Sequence, residues 1–237
     1  MRLRPFGGFA ENLPPAAPRR PGNRGGDTLR PDRGLIVCGG LGSRGARGRL
    51  CYPVRSRTAR RKGTGMADCD DRLLQALMLE MIGFDAGDPK RIQHFIKVHS
   101  LARTIGVGEG ADGSTLFTLE AAAIVHDIGI HPAEEKHGGR CDGKLQELEG
   151  PAPARAMLEG LGFPADVTDR VCFLVGHHHT YSDIDGLDYR ALVEADFLVN
   201  LYEDGASEHA VRSALGSVFA TRTGTLLLRE MFGIDAG

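Results

Sequence analysis

From Met66 to the end of the 237-residue chain, apolar residues recur at helical spacing, and nowhere do they alternate as a half-buried strand requires. That pattern restricts the segment to an all-α fold. Leu73, Leu74, Leu77 and Met81 mark a first amphipathic helix, and Gly83, Gly87 and Pro89 interrupt it. Further helices are predicted over 89–105, 116–127, 152–161, 165–178 and 189–203, with two shorter ones near 207–217 and 223–231. The stretch GIHPAEEKHGGRCDG (129–143) and the loop TYSDIDG are predicted to be irregular. No internal repeat is visible.

Residues 1–65 obey different physics. They hold 15 Lys and Arg against 3 Asp and Glu, with many Gly and Pro and few large apolar side chains. Such a segment cannot bury enough surface to offset its ordering entropy and is predicted to be disordered. It reads either as a basic arm or transit peptide, or as sequence upstream of a true start at Met66. The abrupt switch at MADCDD favours the second. The expected division is therefore 1–65 as a basic tail and 66–237 as one folded domain. That domain carries 14 basic and 28 acidic residues, which speaks against nucleic-acid binding as its main task. Cys38, Cys51, Cys69, Cys141 and Cys172 form no CxxC pair and are odd in number, as expected of a reduced, cytoplasmic compartment. No apolar run is long enough to span a membrane.

Certain polar residues fall inside the apolar stripes. Asp196 sits among Leu192, Ala195 and Val199; His178 follows Val171, Leu174 and Val175, flanked by His177 and His179. His126 and Asp127 stand out within the strongly apolar segment TLEAAAIVHDIGI, and His94 shares a flank with Val98 and Leu101, whereas His99 points elsewhere. A buried unpaired carboxylate costs several kcal/mol, so such a group is paired, neutralised or bound to metal. Singly, each also fits a plainer role: an Asp paired with Arg, or a satisfied core imidazole. Four helices each aiming a His or Asp inward fit a shared cation better, because one ion offsets the desolvation of every ligand at once. Imidazole with carboxylate suits Mn, Fe, Co, Ni, Zn or Mg.

The ordered set His94, His126–Asp127 and Asp196, in the contexts QHFIKVHSLA, AAAIVHDIGI and EADFLVNL, resembles the HD superfamily of metal-dependent phosphohydrolases. The resemblance implies an all-α helical bundle holding one or two divalent ions, and hydrolysis of a phosphomonoester or phosphodiester in a small, nucleotide-like phosphorylated substrate. It also gives GHHHT a role, with His178 and His179 as ligands of a second ion and Asp127 as the bridge. Two departures stand out. Ile130 occupies a position where single-metal nucleotidases of the family often carry Glu and cyclic-dinucleotide phosphodiesterases Lys, and no GYP motif follows the histidines. Where a further histidine is expected, the chain has LQELEGPAPARAML, so Glu147 or Glu149 is either a ligand or an ordinary helix-end carboxylate.

On the hydrolase reading Asp127 and His131 stand nearest the chemistry, His131 as ligand, proton shuttle or plain loop residue. Lys136, His137 and Arg140 are candidates for meeting phosphate oxygens, Lys136 also in catalysis, if they are not simply exposed. A minority of proteins resembling this one hold a di-iron centre that activates oxygen to cleave a C–C or C–P bond, and the same ligands suit iron. A third reading is a sensor that binds a nucleotide without turnover. The substrate pocket is expected from loops 129–147 and 180–188.

Overall fold

The computed structural model describes residues 66–235. Among them it has ten α-helices and no strand. They are α1 (Met66–Phe84), α2 (Pro89–Gly108), α3 (Gly113–Val125), α4 (Ile130–Lys136), α5 (Gly143–Glu149), α6 (Pro151–Leu161), α7 (Ala165–Val175), α8 (Leu187–Glu203), α9 (Glu208–Ser217) and α10 (Arg222–Phe232). The disorder expected of residues 1–65 lies outside the described residues. No described helix is long and apolar enough to cross a membrane.

Helix α3 is the axis of the bundle. Every residue from Phe117 to Val125 is buried, the mostly apolar run being interrupted by Thr118 and by Glu120, whose carboxylate is paired with His99 and Arg103. It packs against α1, α2, α7 and α8, and α2 lies along α8. Polar side chains fix the helix ends. Asp88 accepts from the Lys90 and Arg91 amides with Pro89 opening α2, Asp112 accepts from Thr115, and Thr221 accepts from Gly224. Each such cap contributes about 1 kcal/mol. The fully buried Glu194 carboxylate accepts from the Ala220 and Thr221 amides and the Thr221 hydroxyl, which ties α8 to the start of α10.

The segment 129–143 departs from expectation, because residues 130–136 form α4. Its Gly and Pro suggest a breaker, yet Pro132 falls in the first helical turn, where an amide has no partner to lose. The helix stops at Gly138 and Gly139, both with positive φ (63° and 84°). Residues 143–149 are likewise helical, so the region expected to supply a substrate loop is mostly two short helices. Helices α3 and α7 end earlier than predicted, at Val125 and Val175, which puts both the His-Asp pair and the histidine triplet on turns.

Two glycines allow those turns to meet their neighbours. A methyl on Gly129 would clash with the backbone of Gln146 and Gly150, and one on Gly150 would lie 2.6 Å from Val175. The turn after Asp127 therefore meets the α5–α6 joint backbone to backbone, and the Val175 side chain at the end of α7 packs on that joint.

Candidate metal centre

Four helices deliver the site. His94 lies on the buried stripe of α2 with Val98 and Ala102, and Asp196 lies on the facing stripe of α8. His126 and Asp127 follow the end of α3, and His178 and His179 follow the end of α7. The second turn is pinned: the buried Tyr189 hydroxyl reaches the carbonyls of His177 and Thr180, each at 2.5 Å. Glu147 accepts from the His179 amide and the Thr180 hydroxyl.

These elements bring five groups together. His94 Nε2 is 3.1 Å from Asp196 Oδ1 and 3.5 Å from Asp127 Oδ2. His126 Nε2 is 3.4 Å from Asp127 Oδ2 and 3.6 Å from Asp196 Oδ1. His178 Nε2 is 3.4 Å from the other Asp127 oxygen, Oδ1. His94, His126, Asp127 form one cluster able to hold an ion, and Asp127, His178, His179 a second, with Asp127 common to both.

The hydrogen bonding argues for a cation. His126 Nδ1 donates to the Ala123 carbonyl at 3.0 Å, and His178 Nδ1 donates to the Val175 carbonyl at 2.9 Å. In the neutral rings Nε2 is then a bare lone pair. Both Nε2 atoms are fully buried and have no hydrogen-bond partner among the described residues, a condition rare in native interiors. Their neighbours are carboxylate oxygens, which also only accept. Acceptors facing acceptors at 3.4–3.6 Å, beyond a good N–H···O bond, need positive charge between them. Two atoms each about 2.1 Å from one ion lie roughly 3–3.5 Å apart at tetrahedral or octahedral angles, so the spacing suits ligation.

The protonation equilibria carry the same demand. Burial works against a charged His126, yet the carboxylates of Asp127 and Asp196 outweigh it and hold the imidazole well above its ordinary pKa. His94 is raised despite its burial by the same two carboxylates. Burial would raise Asp127 and Asp196, but the facing imidazoles hold both well below the usual carboxylate range. A metal-free site therefore recruits protons where an ion would sit. His179 differs: burial and the neighbouring His178 push it down to about 4, so its ring is neutral. Its Nε2 lies 2.9 Å from Gln146 Oε1, and the ring packs on Gly143.

The remaining sequence candidates stand outside this group. His131 is half exposed and lies 3.1 Å from Asp85, with Arg91 at 2.9 Å from its Nδ1. Lys136 and His137 both pair with Glu149, and Arg140 pairs with Asp142 in an exposed position. Glu147, Glu149 and Asp196 are all outside the two metal-holding clusters, but Asp196 alone of the three touches their imidazoles, those of His94 and His126.

Several contributors were not anticipated. Asn200 donates to Asp196 Oδ1 at 2.8 Å, and Glu203 lies 3.1 Å from His94 Nδ1. Both stand on the face of Asp196, four and seven residues on, so helical spacing carried the signal. Arg91 precedes His94 by three residues and was equally legible. The buried Asp85, in the turn after α1, had no such signal.

The HD-domain family model matches residues 91–210, just over half the chain. No curated protein matches the sequence. Among solved structures the chain is similar to a crystal structure described as a predicted HD superfamily hydrolase from an uncultured Thermotogales bacterium. The two share 23% identity over 69% of this chain and 84% of the other, with a TM-score of 0.47. On the family match, the chain belongs to the HD-domain family.

Proposed function

We propose that residues 66–237 form one catalytic domain, a divalent-metal-dependent phosphohydrolase that cleaves a phosphomonoester or phosphodiester in a small, nucleotide-like substrate. The observation that carries this reading is the pair of buried Nε2 lone pairs on His126 and His178, both facing Asp127. His94, His126, Asp127 and Asp196 would hold one ion, and Asp127, His178 and His179 a second. Bound there, a divalent ion lowers the pKa of a water and polarises a phosphoryl oxygen.

The protein's own groups have distinct duties. Asp127 offers one oxygen to His94 and His126 and the other to His178, so its carboxylate fixes the spacing of the two clusters. Asn200 orients Asp196. The backbone carbonyls of Ala123 and Val175 keep the lone pairs of His126 and His178 pointing inward. Burial and two nearby carboxylates, Asp196 and Glu147, keep the half-exposed Tyr181 phenol protonated, so it can donate to a substrate oxygen. His131, held by Asp85 and Arg91, is the candidate proton carrier at the rim. Lys136 and His137 would reach a phosphate only by leaving Glu149.

The test is a screen of nucleotides and phosphoesters with Mn, Co, Ni, Mg and Fe. His126→Ala and Asp127→Ala should each abolish metal content and turnover; phosphatase activity surviving both would overturn the reading. Because Asp127 belongs to both clusters, a di-iron oxygenase is the second reading. Two irons with a mixed-valence EPR signal after anaerobic purification, and no phosphatase activity, would favour it.

A further inference from the structure

The three inner imidazoles differ in what holds their outer nitrogen. His126 and His178 use neutral backbone carbonyls. His94 Nδ1 instead meets a carboxylate, Glu203 Oε2, at 3.1 Å. That carboxylate is only 10% exposed, and its other oxygen is paired with Lys97 Nζ at 2.5 Å. Lys97 is more exposed and lies over the Tyr202 ring at 5.4 Å. A chain of contacts thus runs from the surface, through Lys97 and Glu203, to His94.

We infer that Glu203 is a positioning residue for the metal centre and that Lys97 moderates it. This rests on the metal-centre reading above. By accepting a hydrogen bond from Nδ1–H, Glu203 favours the tautomer that leaves Nε2 as the lone pair facing Asp127 and Asp196, and its negative charge makes that lone pair a stronger donor. Lys97 withdraws part of that charge. The arrangement makes His94 the tunable ligand, whereas His126 and His178, tied to backbone, are fixed. Glu203 follows Asp196 by seven residues on α8, so one helix face carries a ligand and the group that aims the opposing ligand.

The test is titration of the metal-free full-length protein with Co²⁺, following its visible absorption. Loss of an outer-shell partner of this kind lowers affinity about 10- to 100-fold. Glu203→Gln keeps an acceptor but removes the charge, so it should bind Co²⁺ more weakly than the parent and less weakly than variants with no acceptor. Lys97→Met should bind as tightly as the parent or more tightly. The double variant Lys97→Met, Glu203→Met removes both charges, leaving local net charge unchanged, and removes the acceptor. It should still lose about tenfold, with altered Co²⁺ bands. Parent-like binding by the double variant would overturn the inference, since the effect of Glu203 would then be charge alone. So would a Lys97→Met loss matching that of Glu203→Gln, since the pair would then be merely structural. No Co²⁺ binding by the parent would refute the metal-centre reading itself, and this inference with it.

Discussion

Gly129→Ala tests how the His-Asp turn is held. Gly129 has an ordinary right-handed conformation (φ −71°, ψ −15°), so alanine meets no backbone strain there. What it meets is backbone: the Gln146 carbonyl at clashing distance, the Gly150 amide at 2.9 Å and the Gly150 Cα at 3.0 Å. None is the flexible end of a side chain, so relief requires moving α5 and α6 away from the turn. Overpacking costs about 1–3 kcal/mol, and rigid neighbours place this case in the upper half, about 2.5 kcal/mol. For a domain of this size that is roughly 5–10 °C in melting temperature. Gly160→Ala is the control. It sits in α6 where, among the described residues, no atom beyond its own helix backbone comes within 4 Å of the added methyl, and should stabilise by about 0.5–1 kcal/mol. Thermal melts of the metal-free proteins measure both, and Co²⁺ titration should show weaker binding by Gly129→Ala alone, because the shifted turn carries Asp127. Equal stability of Gly129→Ala and parent would refute the close approach.

Three further outcomes are expected. Arg170 braces the loop after the histidine triplet, reaching Asp188 at 2.8 Å and Asp185 at 2.7 Å; Arg170→Met should cost about 2 kcal/mol in urea denaturation, less than a fully buried pair because Arg170 is partly exposed, and parent-like stability would count against the brace. Burial pushes the Tyr189 phenol up to about 12 from an ordinary value of 10. Its folded pKa is the higher, so its contribution is full below pH 10 and fades as pH rises towards 12; Tyr189→Phe should flatten that alkaline limb of stability, and an unchanged limb would contradict the assignment. An ion present at about 100 times its Kd should raise stability by about 2.7 kcal/mol, a gain that His126→Ala should lack in the same melts.

The all-α fold was legible because period and composition agree from Met66 onward. Helix α3 shows why: the run Ala121–Val125 is apolar on every side, as a central buried helix requires, and the structure buries all of it. The polar residues inside stripes were legible for the same reason, since a charged group among Leu192, Ala195 and Val199 demands an explanation. Helix ends were less legible. The turns after Val125 and Val175 close against Gly150 and Tyr189, partners that lie elsewhere in the chain. Helix α4 was obscured because Pro132 suggests a break unless its place in the first turn is known. Lys136 and His137 illustrate a different gap: sequence marks them as cations near the His-Asp pair but not that Glu149 takes both.

The central claim is that His94, His126, Asp127 and Asp196 surround a cation. Crystals grown with Mn²⁺, with diffraction recorded at the manganese edge, test it most directly. The account predicts an anomalous peak within ligand distance of His126 Nε2 and both carboxylates, at about 2.0–2.3 Å. A site without that peak, with His126 Nε2 instead bonded to a protein donor, would contradict it.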